Sequence, residues 1–504
     1  MDVTRWFAVG LLGLAVSMPC FAGKSDDTLN IAFGGEIATL DNYRETGREG
    51  LVVARLIYDS LLSRDVSTGE FLPELASSYA YVDDKTLDFE IRKNVRFHNG
   101  QALTADDVVY TLNLVSSKQY AARYQIAVTW IDKAEKLGDY KVRVRMKAPY
   151  PPALEMLAGN LPIYPKAYYE QVGPEGMSTK PVGAGPYRVV EVVPGARYLL
   201  ERFDGYYKDS PKGVPAIKRI VIRILPEANT QYAELMNGSL DWAWRIPPDE
   251  GRNLATRPNI DVKSVSIVRF AYLAINPSAV PAKTPLSDVR VRRAINHAID
   301  RAGIVKALVG GAAQPVHSTC NPLQFGCETS VQQYAFDPKK ARELLAEAGY
   351  PNGFATDMLS VGTPRAQAEV VASMLEKVGI KVRINEQQYA PGVSMWRDGK
   401  APLFLSNWGS YGIADVALST SQFFGGGADD LAKDAAVIEA LKKADVSIDR
   451  KERARLYSIA LKRIASEAYW APLWTFSATT AQSKSLNFSF DFDEFARFYK
   501  ASWR

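Results

Sequence analysis

Between Lys180 and Trp242 the chain reads hairpin, strand, helix, and an order of this kind, repeated along the sequence, leads to packed α/β layers. Val189 to Val193 and Arg197 to Phe203 are rich in β-branched and aromatic residues, and the Pro194-Gly195 pair between them supplies the turn that reverses the chain. Ile220, Ile222 and Ile224 then alternate with Arg219, Val221 and Arg223, which predicts a strand with an apolar face and a mixed one. A helix is expected from about Thr230 to Asn237, stopped by Gly238, the residue that adopts the left-handed cap at least cost.

The carboxyl half is punctuated in the same way. Asp337 can cap a helix entered by Pro338, with Ala341, Leu344, Leu345 and Ala348 as its buried stripe and Gly349 as its end. A second helix, from about Ala366 to Val378, ends at Gly379 and gives way to a strand in which Ile380, Val382 and Ile384 alternate with basic residues. The helix from Asp288 carries Val291, Ile295 and Ala298 on one side, and Thr104 with Asp107 forms a capping signal for the helix of Val108, Leu112 and Val115. Strands and helices alternate without a low-complexity linker, so the fold class is α/β, and 504 residues exceed a single ordinary core.

Residues 1–22 have the parts of a secretory signal: Arg5, an apolar run from Trp6 to Val16, and Ala22, after which cleavage is expected. A lipoprotein signal on Cys20 fits less well after Met18 and Pro19, and the apolar run is short for a membrane span. The mature protein is therefore expected outside the cytoplasm. There it keeps Cys320 and Cys327, and a pair closing a short loop in an oxidising compartment reads most simply as a disulfide. A metal site would need further ligands, and His317 is the only nearby helper. The formal charge of +5 comes from acids and bases interspersed along the chain, with no basic stripe of the kind that binds nucleic acid.

The wording of the Lys180–Trp242 stretch resembles the solute-binding proteins of bacterial peptide-type ABC importers, the group that includes dipeptide, oligopeptide, glutathione and nickel-complex binders. The family's Gly-x-Gly-Pro-Tyr run stands here as Gly183, Gly185, Pro186 and Tyr187, and its Gly-x-x-Asp as Gly238 to Asp241. The likeness continues at 56–65, 72–84, 91–112, 288–305 and 336–354. It implies a periplasmic binding protein-like clamshell with two lobes around a hinge and an inserted domain. The parts are expected at 23–58, 180–268 and 478–504 for lobe I, 59–179 for the insertion and 269–477 for lobe III.

Nothing resembles a catalytic constellation: there is no phosphate loop of the Walker type, nucleophile elbow or His-Glu-x-x-His, and the only histidines are His98, His297 and His317. The resemblance implies capture instead, without cofactor or resident metal, by a monomer that delivers a small peptide or peptide-like ligand to ABC importer permease subunits. Trp408 matches the family's tryptophan in lobe III, but Tyr411 occupies the place of the aspartate that meets a ligand ammonium, which argues against an ordinary dipeptide. Asp415 can substitute for that aspartate or cap the following short helix, and both readings stay open. Arg245, Arg365 and Arg44 are the candidate cations for an acidic group; Trp244, Tyr272, Trp408 and Tyr411 are candidate walls, with Asn276 beside Tyr272 in the same block. A metal complex or metallophore is the alternative cargo within the same fold, and an exported hydrolase or chaperone is the reading of another class.

Overall fold

The computed structural model describes residues 23–504 apart from 46, 121, 124 and 279–283; the secretory-signal reading, with Cys20, lies outside the described residues. One ten-stranded sheet runs through both lobes. From one edge its order is Tyr187–Val193, Arg197–Arg202, Arg219–Ile224, Thr28–Phe33, Trp242–Trp244, Trp470–Ser483, Ile260–Ile275, Leu403–Trp408, Phe354–Ser360 and Ile380–Glu386. The hairpin read from sequence is the antiparallel pair at that edge, and Gly238 ends the helix Ala228–Asn237 in the left-handed region at φ 81°.

Two of these strands are unusually long, and among the described residues they are the sheet pairing that joins the halves. Ile260–Ile275 and Trp470–Ser483 pair antiparallel, regularly from Ile260 opposite Ser483 to Ser266 opposite Ser477. The ladder then breaks, resuming at Phe270 opposite Thr475, and shifts again before Tyr272 meets Pro472. Pro472 has no amide hydrogen to give a partner strand, which fits this irregular stretch. Within the break the Val268 amide donates instead to Phe492 O, 2.9 Å away.

Beyond the break the sheet is covered on both faces. Ala271, Leu273 and Ile275 enter one core with the helices Val289–Ala298, Pro338–Glu347 and Arg365–Glu376. Phe270, Tyr272 and Ala274 enter another, with Ala435–Val446 and Arg450–Ser466, as the two-residue period of a strand requires. On the other side of the break, a four-stranded antiparallel sheet of Ala76–Asp83, Thr86–Ile91, Lys141–Met146 and Ile131–Gly138 belongs to the insertion. Its Phe89, Val108 and Leu112 share a continuous core with Leu29, Phe33 and Trp242 of lobe I.

The glycine-rich block has a packing reason. A Cβ on Gly183 would lie 2.1 Å from Ile57 O and one on Gly185 2.5 Å from Ile57 C, so the chain passes in contact with the end of the helix Arg48–Ile57. His98 clamps the same place: Gly183 N donates to its Nδ1 at 3.3 Å, and its Nε2 donates to Gly185 O at 2.9 Å. The cysteine pair Cys320–Cys327 is closed as a disulfide.

Gly185→Ala should lower stability by about 1–3 kcal/mol in denaturant titration, because backbone rather than a yielding side chain opposes the new methyl group; an unchanged midpoint would contradict the close approach. Burial pushes the His98 imidazole from 6.5 down to about 4, against the backbone bond from Gly185 that favours its charged form. A depressed base stabilises the fold fully above pH 6.5 and loses that contribution as pH falls toward 4. The wild type should therefore lose on the order of 1–2 kcal/mol more than His98→Gln across this window, read by thermal melts.

Candidate functional site

A cleft of about 850 Å³ opens where the two halves face each other. Lobe I and the insertion supply Asn42, Tyr43, Glu45, Arg48, Arg123 and Ile126; the opposite wall carries Arg269, Gly362, Tyr389, Asn407, Trp408 and Tyr411. Asn407 and Trp408 end the strand Leu403–Trp408, which delivers them to the cleft rim, and Arg48 begins the helix Arg48–Ile57. Among the described residues the lining holds three arginines and a single carboxylate.

Arg269, Arg48 and Glu45 are each held in place. Arg269 Nη1 donates to Asn407 Oδ1 at 2.8 Å, and its Nη2 lies 3.3 Å from Glu494 Oε2. Arg48 Nη2 stands 3.7 Å from the same carboxylate, with its guanidinium 4.4 Å over the Phe495 ring. Glu45 accepts from the Gly47 and Thr39 amides at 2.6 and 3.2 Å, so its charge is spread over backbone donors. Trp408 gives its indole hydrogen to Leu418 O at 2.6 Å and meets Tyr411 edge to face at 5.1 Å. Burial raises the Tyr411 and Tyr389 phenols above their usual range, which keeps both as neutral donors at physiological pH.

The turn that carries Tyr411 also joins the lobes. Ser410 and Tyr411 both have left-handed backbones, at φ 45° and 55°, a conformation that costs side-chain-bearing residues energy and persists where the surroundings enforce it. Gly412 follows so close to lobe I that a Cβ would lie 2.7 Å from Asp493 O. Ile413 and Leu418 bury themselves in the lobe I core. Beneath, a cavity of about 30 Å³ has room for water only, and the charges around it pair with one another, Arg497 with Asp493 at 2.6 Å and Lys212 with Asp59 at 2.5 Å.

Trp408 and Tyr411 thus stand in the cleft, whereas several expected contacts are corrected. Asp415 is bound bidentately by Arg453, both N–O distances 3.0 Å, and caps the Ala417 amide, so its carboxylate is turned into lobe III. Tyr272 stacks on Trp470 at 4.0 Å within the core, and Asn276 is fully buried, donating to Gly399 O and Ala401 O. Trp244 packs against Phe33 and Phe490 in the lobe I core. Arg245 lies over Trp244 and pairs with Glu49 at 2.6 Å, away from the cleft. Arg365, 66 % exposed, pairs with Glu369 and Glu386 and stays outside the cleft lining, although Gly362 beside it belongs to that lining. Arg44 leans toward Asp41 and Tyr120, while its neighbours Tyr43 and Glu45 line the cleft.

The cations missed by sequence reasoning are Arg48, Arg123 and Arg269. Arg269 carried a signal: it interrupts the apolar run IVRFAYLAI on a strand that is otherwise buried from Ile267 to Ile275. Arg48 and Arg123 sit among ordinary polar neighbours and carried none. Asp415→Ala should cost about 3–5 kcal/mol of stability, since it leaves Arg453 buried without its partner; a loss below about 1 kcal/mol in denaturant titration would contradict this structural role.

Known proteins place this arrangement. Residues 70–430 match the family described as bacterial extracellular solute-binding proteins, family 5 Middle. A glutathione-binding protein of Pectobacterium atrosepticum is 30% identical over 507 residues, covering 96% of this chain and 95% of that one. The structure of HbpA2 from Haemophilus parasuis superposes with a TM-score of 0.85 at 24% identity, covering 95% of this chain and 100% of that chain. That of DppA from Helicobacter pylori in complex with peptide STSA gives 0.76 at 25% identity, covering 95% and 99%. The fold read from sequence, an α/β clamshell with an inserted domain, is thus the fold observed, and the chain belongs to the bacterial extracellular solute-binding proteins of family 5.

Proposed function

We propose that this protein captures a small acidic peptide-like solute whole between its lobes and hands it unchanged to the permease of an ABC importer. The observation that carries the reading is the cleft of about 850 Å³, built from both lobes and set with three arginines against one carboxylate. A desolvated arginine binds carboxylates through a planar fork, so a ligand with anionic ends gains most there. A tripeptide of the glutathione kind brings such ends, and the name of the Pectobacterium relative agrees with that class. The tyrosines and Trp408 cover its apolar parts.

Capture rather than turnover is supported by the position of the histidines, since His98, His297 and His317 all stand outside the cleft lining. The reading makes the protein a periplasmic monomer, released by cleavage after Ala22, with lobe I at 23–58, 180–268 and 478–504, the insertion at 59–179 and lobe III at 269–477. Among the described residues no helix is long and apolar enough to cross a membrane.

Mass spectrometry of the small molecules that co-purify under gentle conditions tests the ligand class. An acidic peptide-like compound is expected; a cationic compound or a metal chelate would overturn it. With that compound in hand, Arg269→Ala and Arg123→Ala should each weaken binding by roughly 1.5–3 kcal/mol in calorimetry, the range for a charged hydrogen bond. Unchanged affinity in both would remove the arginines from recognition.

A further inference from the structure

The disulfide closes a loop that touches both the break in the long strands and the turn bearing Tyr411. The approach to it, 312–316, already lies across the crossing: Ala312 N donates to Ser264 Oγ on one side of the break, and on the other Gln314 N donates to Thr475 Oγ1 while Gln314 O accepts from Thr475 N. Asn321, 1 % exposed, then gives its Nδ2 hydrogens to Ile267 O at 2.8 Å and Arg269 O at 3.2 Å, two carbonyls from the stretch where the strand ladder is broken.

Three residues on, Gln324 is buried at the other end. Its Nε2 donates to Ser410 Oγ at 2.9 Å, to Asp415 O at 3.2 Å and to Ile413 O at 3.4 Å, so one amide spans the turn that holds the left-handed Ser410 and Tyr411. Its Oε1 accepts from Asn321 N and Ser419 Oγ, each at 3.0 Å, which ties the two ends of the loop together. Phe325 N bonds Ala414 O and Phe325 O accepts from Val416 N, extending the same contact. The bond between Cys320 and Cys327 encloses this segment and limits the conformations it could otherwise explore.

We propose that the disulfide-closed loop 320–327 couples the hinge to the ligand-facing turn, with Asn321 and Gln324 as its positioning residues. A change of geometry at Ile267–Arg269 moves the carbonyls that hold Asn321, and Gln324 carries that movement to Ser410. A strained turn needs surroundings that over-determine it, and this amide is the side chain that binds it at three points. Neither residue lines the cleft, so their effect on the cleft is indirect.

Hydrogen–deuterium exchange on the full chain without ligand tests the coupling, independently of what the cleft binds. Asn321→Ala should speed exchange of the Gly412 and Ile413 amides by at least about fivefold, although the lost side chain bonds Ile267 O, Arg269 O and the Leu323 amide of its own loop and none of the atoms of the turn 410–415. Gln324→Met should do the reverse, exposing the Val268 amide at the hinge, and C320S/C327S should loosen both ends. Amides of the strand Thr28–Phe33 report global opening and should not change. Acceleration confined to each mutated end would overturn the proposal, and if Asn321→Ala does not fold, Gln324→Met decides it.

Discussion

The rest of the structure depends on one crossing of two strands. Ile260–Ile275 and Trp470–Ser483 are bound to lobe I at one end and to lobe III at the other, and regular pairing on both sides makes each half stiff. Between them the ladder fails over a few residues, where Val268 turns to Phe492, and it shifts once more before Pro472, which cannot donate. Bending concentrates where backbone hydrogen bonds are fewest. The break also adjoins Arg269, whose guanidinium lines the cleft, so on the proposed reading the hinge and the ligand meet at one residue. Hinge closure around a ligand is the established behaviour of periplasmic binding proteins, and a ligand favours it by its differential affinity for the closed state.

The electrostatics of the cleft follow from that geometry. An arginine withdrawn from water needs a partner, and here Glu494 serves two of them, Arg48 from the first lobe and Arg269 from the crossing strand. On the proposed reading, a ligand carboxylate entering between the lobes would join an arrangement in which Arg48 and Arg269 are already aimed, so little ordering would remain to be done on binding. The buried pairs elsewhere, Arg453 with Asp415 and Arg497 with Asp493, hold the two walls and contribute no free charge to the cleft. Their carboxylates are satisfied in place, which separates structural ion pairs from recognition.

Much of the fold was legible in the sequence because its signals are local. Alternation marked the strand Arg219–Ile224, Asp337 and Gly349 bounded a helix, and the cysteine spacing announced the loop that the disulfide closes. The site was less legible, for a reason the sheet explains. Both faces of lobe III are covered, so Tyr272 and Asn276 have the composition of a binding wall and the surroundings of a core. Asp415 is likewise a carboxylate in the expected stretch whose partner, Arg453, lies 38 positions away on another helix. Trp408 and Tyr411, marked by their match to the family's tryptophan and aspartate positions, do line the cleft, at the end of the strand Leu403–Trp408 and in the turn after it. Arg48 and Arg123 become visible only when the lobes are brought face to face.

Small-angle X-ray scattering, with and without the compound that co-purifies, measures the closing of the two lobes most directly. A smaller radius of gyration in the bound state is the expected result, since a ligand held by both walls draws them together about the crossing strands. Identical dimensions at saturating, independently verified binding would contradict capture by closure.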